Sequence, residues 1–189
     1  MAKNFLALLK SRSTCYDFGT MDVAEKDLLK ILEAARWSPS FLNLQPWEFV
    51  VVRDRKNINE LMKAAYYGMY HVRESKSLPP LAVAIVLKKK YWEGQFGYPN
   101  RDKPGIFEAY LSVAMPAMNM ALQAEELGIA SAMLNVNAAS SAKALMLHGG
   151  DSVPLIVAFG YMREGADEKK RARKPLGETV GYEFSGQKK

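Results

Sequence analysis

Three short runs of residues in this chain carry types and spacings that could do chemistry. The first is Arg12-Ser13-Thr14. An arginine beside two hydroxyls and a turn's free backbone amides suits a phosphate, because the guanidinium is a planar fork of donors and the hydroxyls add short ones. Alone, the triplet describes any Arg-Ser-Thr turn equally well. The second is Ser38-Pro39-Ser40-Phe41-Leu42-Asn43-Leu44-Gln45-Pro46-Trp47. Two prolines stiffen it, and its amide side chains could read the edge of a planar heterocycle, or the run could simply cap a helix. The third is Arg171-Ala172-Arg173-Lys174-Pro175-Leu176. Charged tails are ordinarily solvated, but the apolar Pro175, Leu176, Val180, Tyr182 and Phe184 point to a tail that docks and brings its arginines to a fixed place.

Other chemistries lack their residues. No G-x-G-x-x-G follows a strand and no phosphate-binding G-x-x-x-x-G-K-[ST] occurs. The two histidines, His71 and His148, stand outside any zinc-ligand spacing, and no G-x-S-x-G elbow presents a nucleophile. With so few acid–base groups, the chain reads as one that borrows its chemistry from a cofactor. The single cysteine, Cys15, permits no internal disulfide and fits a small buried hydrophobe.

The elements that must position these runs can be read from periodicity. A short helix spans 2–11. Asp22 followed by Glu25 resembles a capping box, opening a helix whose Leu28, Ile31, Leu32 and Ala35 recur at helical spacing and which Pro39 forces to stop near Trp37. Trp47–Val52 and Leu81–Leu87 are strands, the second apolar on both faces and therefore central. A helix spans Asn57–Tyr67. Phe107–Leu127 is apolar nearly all round and predicts a buried helix, kinked or started by Pro116 and stopped by Gly128. Ile129–Leu134 and Val153–Tyr161 are further strands, with a helix over Ala138–Leu147 between them. About four strands interleaved with helices make an α+β fold, with no linker dividing residues 1–189. Tyr91–Gly105 reads as a long loop whose Tyr91, Trp92, Phe96 and Tyr98 either cover a planar substrate or pack.

The 189 residues carry a net charge of +6. Charge alone would allow nucleic acid, anionic lipid or phosphorylated small molecules, but no nucleic-acid-binding motif is present, and no stretch reaches the roughly 20 apolar residues that span a bilayer. Without a signal-peptide pattern at its start, the chain reads as cytoplasmic.

Taken together and in this order, the motifs resemble those of the nitroreductase family of FMN-binding oxidoreductases. Arg12-Ser13-Thr14 matches the family's R-x-[ST]. Pro39, Ser40, Asn43, Gln45, Pro46 and Trp47 match its P-S-x-x-N-x-Q-P-W. Ala124 to Ser131, the strand Pro154 to Tyr161 and the R-x-R-K-P-L tail complete the likeness, which covers nearly the whole chain. The resemblance implies a mainly antiparallel sheet flanked by helices in an intertwined homodimer, with FMN at the interface. It implies that Arg12, Arg171 and Arg173 hold the phosphate with Ser13 and Thr14. It implies that Pro39, Ser40, Phe41 and Asn43 reach the isoalloxazine from the opposite subunit, and that Leu134-Asn135 places a backbone N–H near flavin N5. Hydride would pass from NAD(P)H through the flavin to a small planar acceptor such as a nitroarene, quinone or enone by a ping-pong mechanism, with no catalytic side chain required. A flavin carrier or redox sensor is the alternative. It is motivated by Tyr16, which stands where a basic residue often approaches N1, and by Phe41, which stands where Ser is common. Val136 replaces a common Gly, and Arg73 could substitute for the missing base.

Overall fold

The computed structural model describes residues 4–65, 77–91, 106–166 and 171–181. In chain order the elements are α1 (Phe5–Ser11), α2 (Glu25–Arg36), a 3-10 turn (Phe41–Asn43), β1 (Trp47–Val52), α3 (Arg55–Lys63), β2 (Leu81–Leu87), a 3-10 turn (Lys89–Tyr91), α4 (Ile106–Glu126), β3 (Ala130–Asn135), α5 (Ala138–Ala144), β4 (Ser152–Gly160) and the single turn α6 (Leu176–Thr179). The four strands form one antiparallel sheet in the order β1-β2-β4-β3.

Strand β2 shows why the sheet has a layer on each face. Successive side chains of a strand point to opposite faces. Leu81, Val83, Ile85 and Leu87 pack with Leu28, Ile31 and Ala35 of α2 and Val113, Ala117 and Met120 of α4. The intervening Ala82, Ala84 and Val86 face Ile58, Leu61 and Met62 of α3, with Cys15 and Phe18. Every residue of β2 is buried, as its position inside the sheet requires. Large residues meet the bulkier helical layer and small ones let α3 approach.

Local chemistry sets the helix ends. The side chains of Asn4, Asp54 and Asn137 each accept a backbone N–H of the first turn of α1, α3 and α5, satisfying donors that a helix start leaves orphaned. The Asp22–Glu25 capping box does not form. Glu25 is the first residue of α2, and its N-cap is Ala24, with no side-chain bond. Gly128 ends α4 with φ +73°, while the N–H of Ile129 reaches back to the carbonyl of Ala124 at 2.8 Å, the wrapped C-terminus that a left-handed residue allows.

Two expectations about α4 are corrected. Pro116 neither starts the helix nor breaks it, since α4 runs through it. Nor is the helix buried all round. Leu111 is 56% exposed and Met115 41%, and with the half-buried Met118 and Leu122 they make an apolar stripe at helical spacing. The helix expected over Asn57–Tyr67 starts earlier, at Arg55, and ends earlier. Its last turn closes at Lys63, and Ala65 already bridges to Val136. Trp92 to Gly105, including Phe96 and Tyr98, and likewise His71 and Arg73, lie outside the described residues, as do Tyr182 and Phe184. No described helix is long and apolar enough to cross a membrane.

Candidate functional site

The segment that follows α1 is fixed by the edge of the sheet. Thr14 bridges to Ser131 in parallel, and Cys15 donates its N–H to the Ser131 carbonyl at 3.0 Å. Cys15 and Phe18 enter the core. Burial pushes the Cys15 thiol up, so it stays neutral and is no nucleophile at neutral pH. With its neighbours held, Arg12 turns inward. It is 7% exposed, and its Nη1 is buried without a hydrogen-bond partner among the described residues.

The tail joins Arg12 from the far end of the chain. Arg171 donates through Nη2 to the carbonyls of Leu9, at 3.4 Å, and of Lys10. It thereby caps the C-terminal end of α1, where a helix favours a cation. The exposed Arg173 donates to its neighbour Ala172 at 2.8 Å. Burial, and then the like charge of Arg171, push the Arg12 guanidinium below its usual range; Glu125 opposes this and Arg173 adds to it. A guanidinium does not lose its proton at physiological pH, so the cluster holds a buried cation with one nitrogen unmet and two more cations close by. Bare, such a site is costly. A phosphate dianion supplies what it lacks, and the half-buried Ser13 and Thr14 stand next in the chain. Donor chemistry, burial and charge therefore fit the phosphate of a cofactor. Of the tail's apolar residues, Leu176 is 77% exposed and Val180 half-buried, and Tyr182 and Phe184 lie outside the described residues.

The run from Ser38 to Trp47 forms a strained and firmly held loop. Leu42, Asn43 and Gln45 all have positive φ, at 50°, 55° and 47°. A non-glycine residue in this region costs about 1–2 kcal/mol, less for asparagine, whose short polar side chain bonds locally. Such strain persists where the surroundings impose it. Here Asn119 donates to Ser38 Oγ at 2.8 Å, the Phe41 N–H donates to Ser112 Oγ at 3.1 Å, and the Gln45 N–H donates to Ser40 Oγ at 2.9 Å. The Lys88 N–H donates to the Pro46 carbonyl at 3.2 Å. Phe41 is turned inward, lining a small apolar cleft with Leu44, Pro46, Tyr91 and Ala109. The loop's exposed tip is Leu42 and Asn43.

Leu134 and Asn135 end β3, an edge strand. The Ser131 carbonyl accepts Cys15 on the open side of β3, and the Asn137 N–H reaches the Ala64 carbonyl at 2.7 Å on that same side. Backbone groups alternate along a strand, so Asn135 turns its N–H toward the open edge while the buried Leu134 faces β4 opposite Ile156. Val136 is buried and bridges Ala65. Tyr16 is half-buried against the core.

The loop and the arginines meet different stretches of α4. The loop is pinned to α4 at Ser112, and Glu125, the α4 residue that acts on Arg12, lies about 20 Å further along the axis at 1.5 Å per residue. The arginine cluster is assembled within the chain from α1 and the tail. Among the described residues no cluster of His, Cys, Asp and Glu could hold a metal. The motifs gave no hint of Ser112, Asn119 or Glu125. The available signal was that they are polar residues in an otherwise apolar helix.

A helix-flanked four-stranded antiparallel sheet with a buried arginine whose surroundings suit an anion defines an α+β protein. Residues 9–161 match the model of the nitroreductase family, and the chain belongs to that family. A curated relative from Archaeoglobus fulgidus, provisionally named an NADH dehydrogenase/NAD(P)H nitroreductase, is 33% identical over 82 residues, and the matched segment spans 43% of this chain and 43% of that protein. Among solved structures, a nitroreductase family protein from Clostridium difficile superposes with TM-score 0.79 at 26% identity, over 96% of this chain and 99% of the other. A nitroreductase with bound FMN from Bacteroides fragilis superposes with TM-score 0.68 at 25% identity, over 91% and 96%.

Proposed function

We propose that this chain binds FMN and works as an NAD(P)H-dependent oxidoreductase toward a small planar acceptor, a nitroarene, quinone or enone, by a ping-pong mechanism in a homodimer. The observation that carries the reading is the buried Arg12 with its unmet Nη1, beside Arg171 and Arg173. The FMN bound by the Bacteroides fragilis protein and the NAD(P)H in the Archaeoglobus fulgidus protein's name support the choice of cofactor and donor.

When bound, FMN supplies hydride acceptance from NAD(P)H and hydride donation to the acceptor. This chain's residues do the rest. Arg12, Arg171 and Arg173, with the hydroxyls of Ser13 and Thr14, hold the phosphate. The Asn135 N–H, turned to the open edge of β3, is the donor offered to the ring's N5. Pro39, Ser40, Phe41 and Asn43 line the ring pocket of a second copy, as the family likeness implies. The apolar stripe Leu111, Met115, Met118 and Leu122 supplies the surface on which two copies meet.

The test begins with the absorbance of the purified protein and the mass of any released pigment. Flavin bands and the mass of FMN are expected. Arg12→Ala should weaken FMN binding about 10- to 100-fold, the worth of a charge-assisted hydrogen bond at a buried site. Initial rates with NADH or NADPH against a quinone should give parallel double-reciprocal lines. A protein that stays colourless after mixing with FMN overturns the reading, and flavin binding with no turnover leaves a carrier or sensor in its place.

A further inference from the structure

The strained loop is set by a relay on α4 that none of the recognised motifs contains. Ser112 is 2% exposed, and its Oγ works in both directions. It accepts the Phe41 N–H at 3.1 Å and donates to the Glu108 carbonyl, one turn back on α4, at 2.7 Å. The local helix favours this use of the hydroxyl. Pro116, four residues on, has no N–H to offer the Ser112 carbonyl, and a serine that bonds back to the preceding turn bends a helix. Phe41 is the residue immediately before the left-handed pair Leu42 and Asn43. Two turns further along the same face of α4, Asn119 holds Ser38 at 2.8 Å and the Ala34 carbonyl at 3.3 Å. The entry to the loop is thus fixed at two points by one helix, and the direction of its tip follows from the second.

We propose that Ser112 is a positioning residue: through the hydrogen-bond relay Phe41 N–H to Ser112 Oγ to Glu108 carbonyl, it aims the Phe41–Asn43 tip at the flavin and acceptor of the paired copy. The inference rests on the reading of that loop as part of the site. Ser112 touches neither cofactor nor substrate; it sets where Asn43 and the loop backbone arrive.

The experiment compares Ser112→Ala, Ser112→Cys and Ser112→Thr as flavin-loaded full-length protein. Alanine removes the relay, cysteine keeps the volume with a weak acceptor, and threonine keeps the hydroxyl. Ser112 lines the small apolar cleft that also holds Phe41. The readouts are KM and kcat for a quinone, the visible circular dichroism of the bound flavin, and the FMN dissociation constant. Ala and Cys should raise the acceptor KM roughly tenfold, a modest share of what an ångström of misplacement costs, and should alter the flavin dichroism. FMN affinity should fall by a smaller factor than the acceptor KM rises, since Ser112 touches none of the phosphate-holding residues. Thr should restore both. If Ala fails to fold, Cys carries the same test. Wild-type KM and dichroism in the Ala or Cys variant overturn the proposal, as does a Thr variant that behaves like Ala. A wild-type protein without flavin overturns the functional reading, and this inference with it; indifferent variants of a flavin-loaded protein overturn this one alone.

Discussion

Arg163 grips Asp17 with two nitrogens, Nε on Oδ1 at 2.8 Å and Nη2 on Oδ2 at 2.5 Å. The backbone repeats the contact, because the Arg163 N–H donates to the Asp17 carbonyl at 3.0 Å and the Gly19 N–H to the Tyr161 carbonyl at 2.7 Å. Ser77 adds a third side-chain donor to Asp17 at 2.8 Å. The stretch that leads from Arg12 into the core is therefore tied down just beyond the end of β4, and the arginine cluster inherits that footing.

This tie predicts an acid dependence. The Arg163 hydrogen bonds, then that of Ser77, hold the Asp17 carboxyl below its usual range against a smaller opposing effect of burial. A carboxyl whose folded pKa is depressed contributes stability that is fully present above its unfolded value of about 3.9 and fades as pH falls through the lower folded value. Asp17→Asn should be less stable than wild type by the same margin from pH 7 down to about pH 5, and the margin should close on further acidification. Urea unfolding across that range decides it, and a margin still constant well below the carboxylate range would defeat the argument.

The stripe on α4 predicts an assembly. Leu111→Glu with Met115→Glu places two charges at positions exposed in the single chain, so the chain should keep its far-ultraviolet dichroism. Sedimentation should show a dimer for the wild type and a monomer for the variant, and the variant should lose flavin because its loop can no longer reach a second copy. A variant monomer that retains its full flavin content would show that each chain completes its own site.

A third prediction concerns packing alone. A Cβ on Gly160 would stand 2.6 Å from Pro80 Cδ and 2.9 Å from Phe18 Cδ1, and neither ring can swing far. Gly160→Ala should cost about 1–3 kcal/mol, as overpacking does. Gly177→Ala, where a Cβ meets nothing within 4 Å, should cost no stability. Thermal unfolding of the pair checks this, and equal effects at the two sites would count against the packing explanation.

What the sequence revealed follows from how local each signal is. Trp47–Val52 and Leu81–Leu87 were readable to the residue because a strand between turn signals carries its own composition, and β2's apolarity on both faces also told its place inside the sheet. Asp22 misled because a capping box needs the side chain at the N-cap position, and the chain puts Ala24 there. The wrongly placed start at Pro116 has a similar origin. A proline removes one hydrogen bond and strains one turn, and packing along the rest of a 21-residue helix outweighs that. Nor could the sequence announce left-handed Leu42 and Gln45, since neither is a residue that favours positive φ; Leu42 follows an anchor 71 positions away, and Gln45 bonds back to Ser40 within the loop. The phosphate triplet was legible as a motif. That Arg12 would be buried, and joined by a tail arginine seated on the end of α1, depends on contacts between the chain's two ends.

Those contacts bear on the order of events in the cell. Arg12 leaves the ribosome before any strand of the sheet, whereas Arg171 and Arg173 follow its last strand, β4. An anion that needs all three guanidinium groups has no complete seat on a nascent chain, even after the sheet has formed and Arg163 has found Asp17. On the proposed reading, capture of the ligand waits for the tail, and a message truncated after β4 would yield a chain with a finished sheet and an unfinished seat.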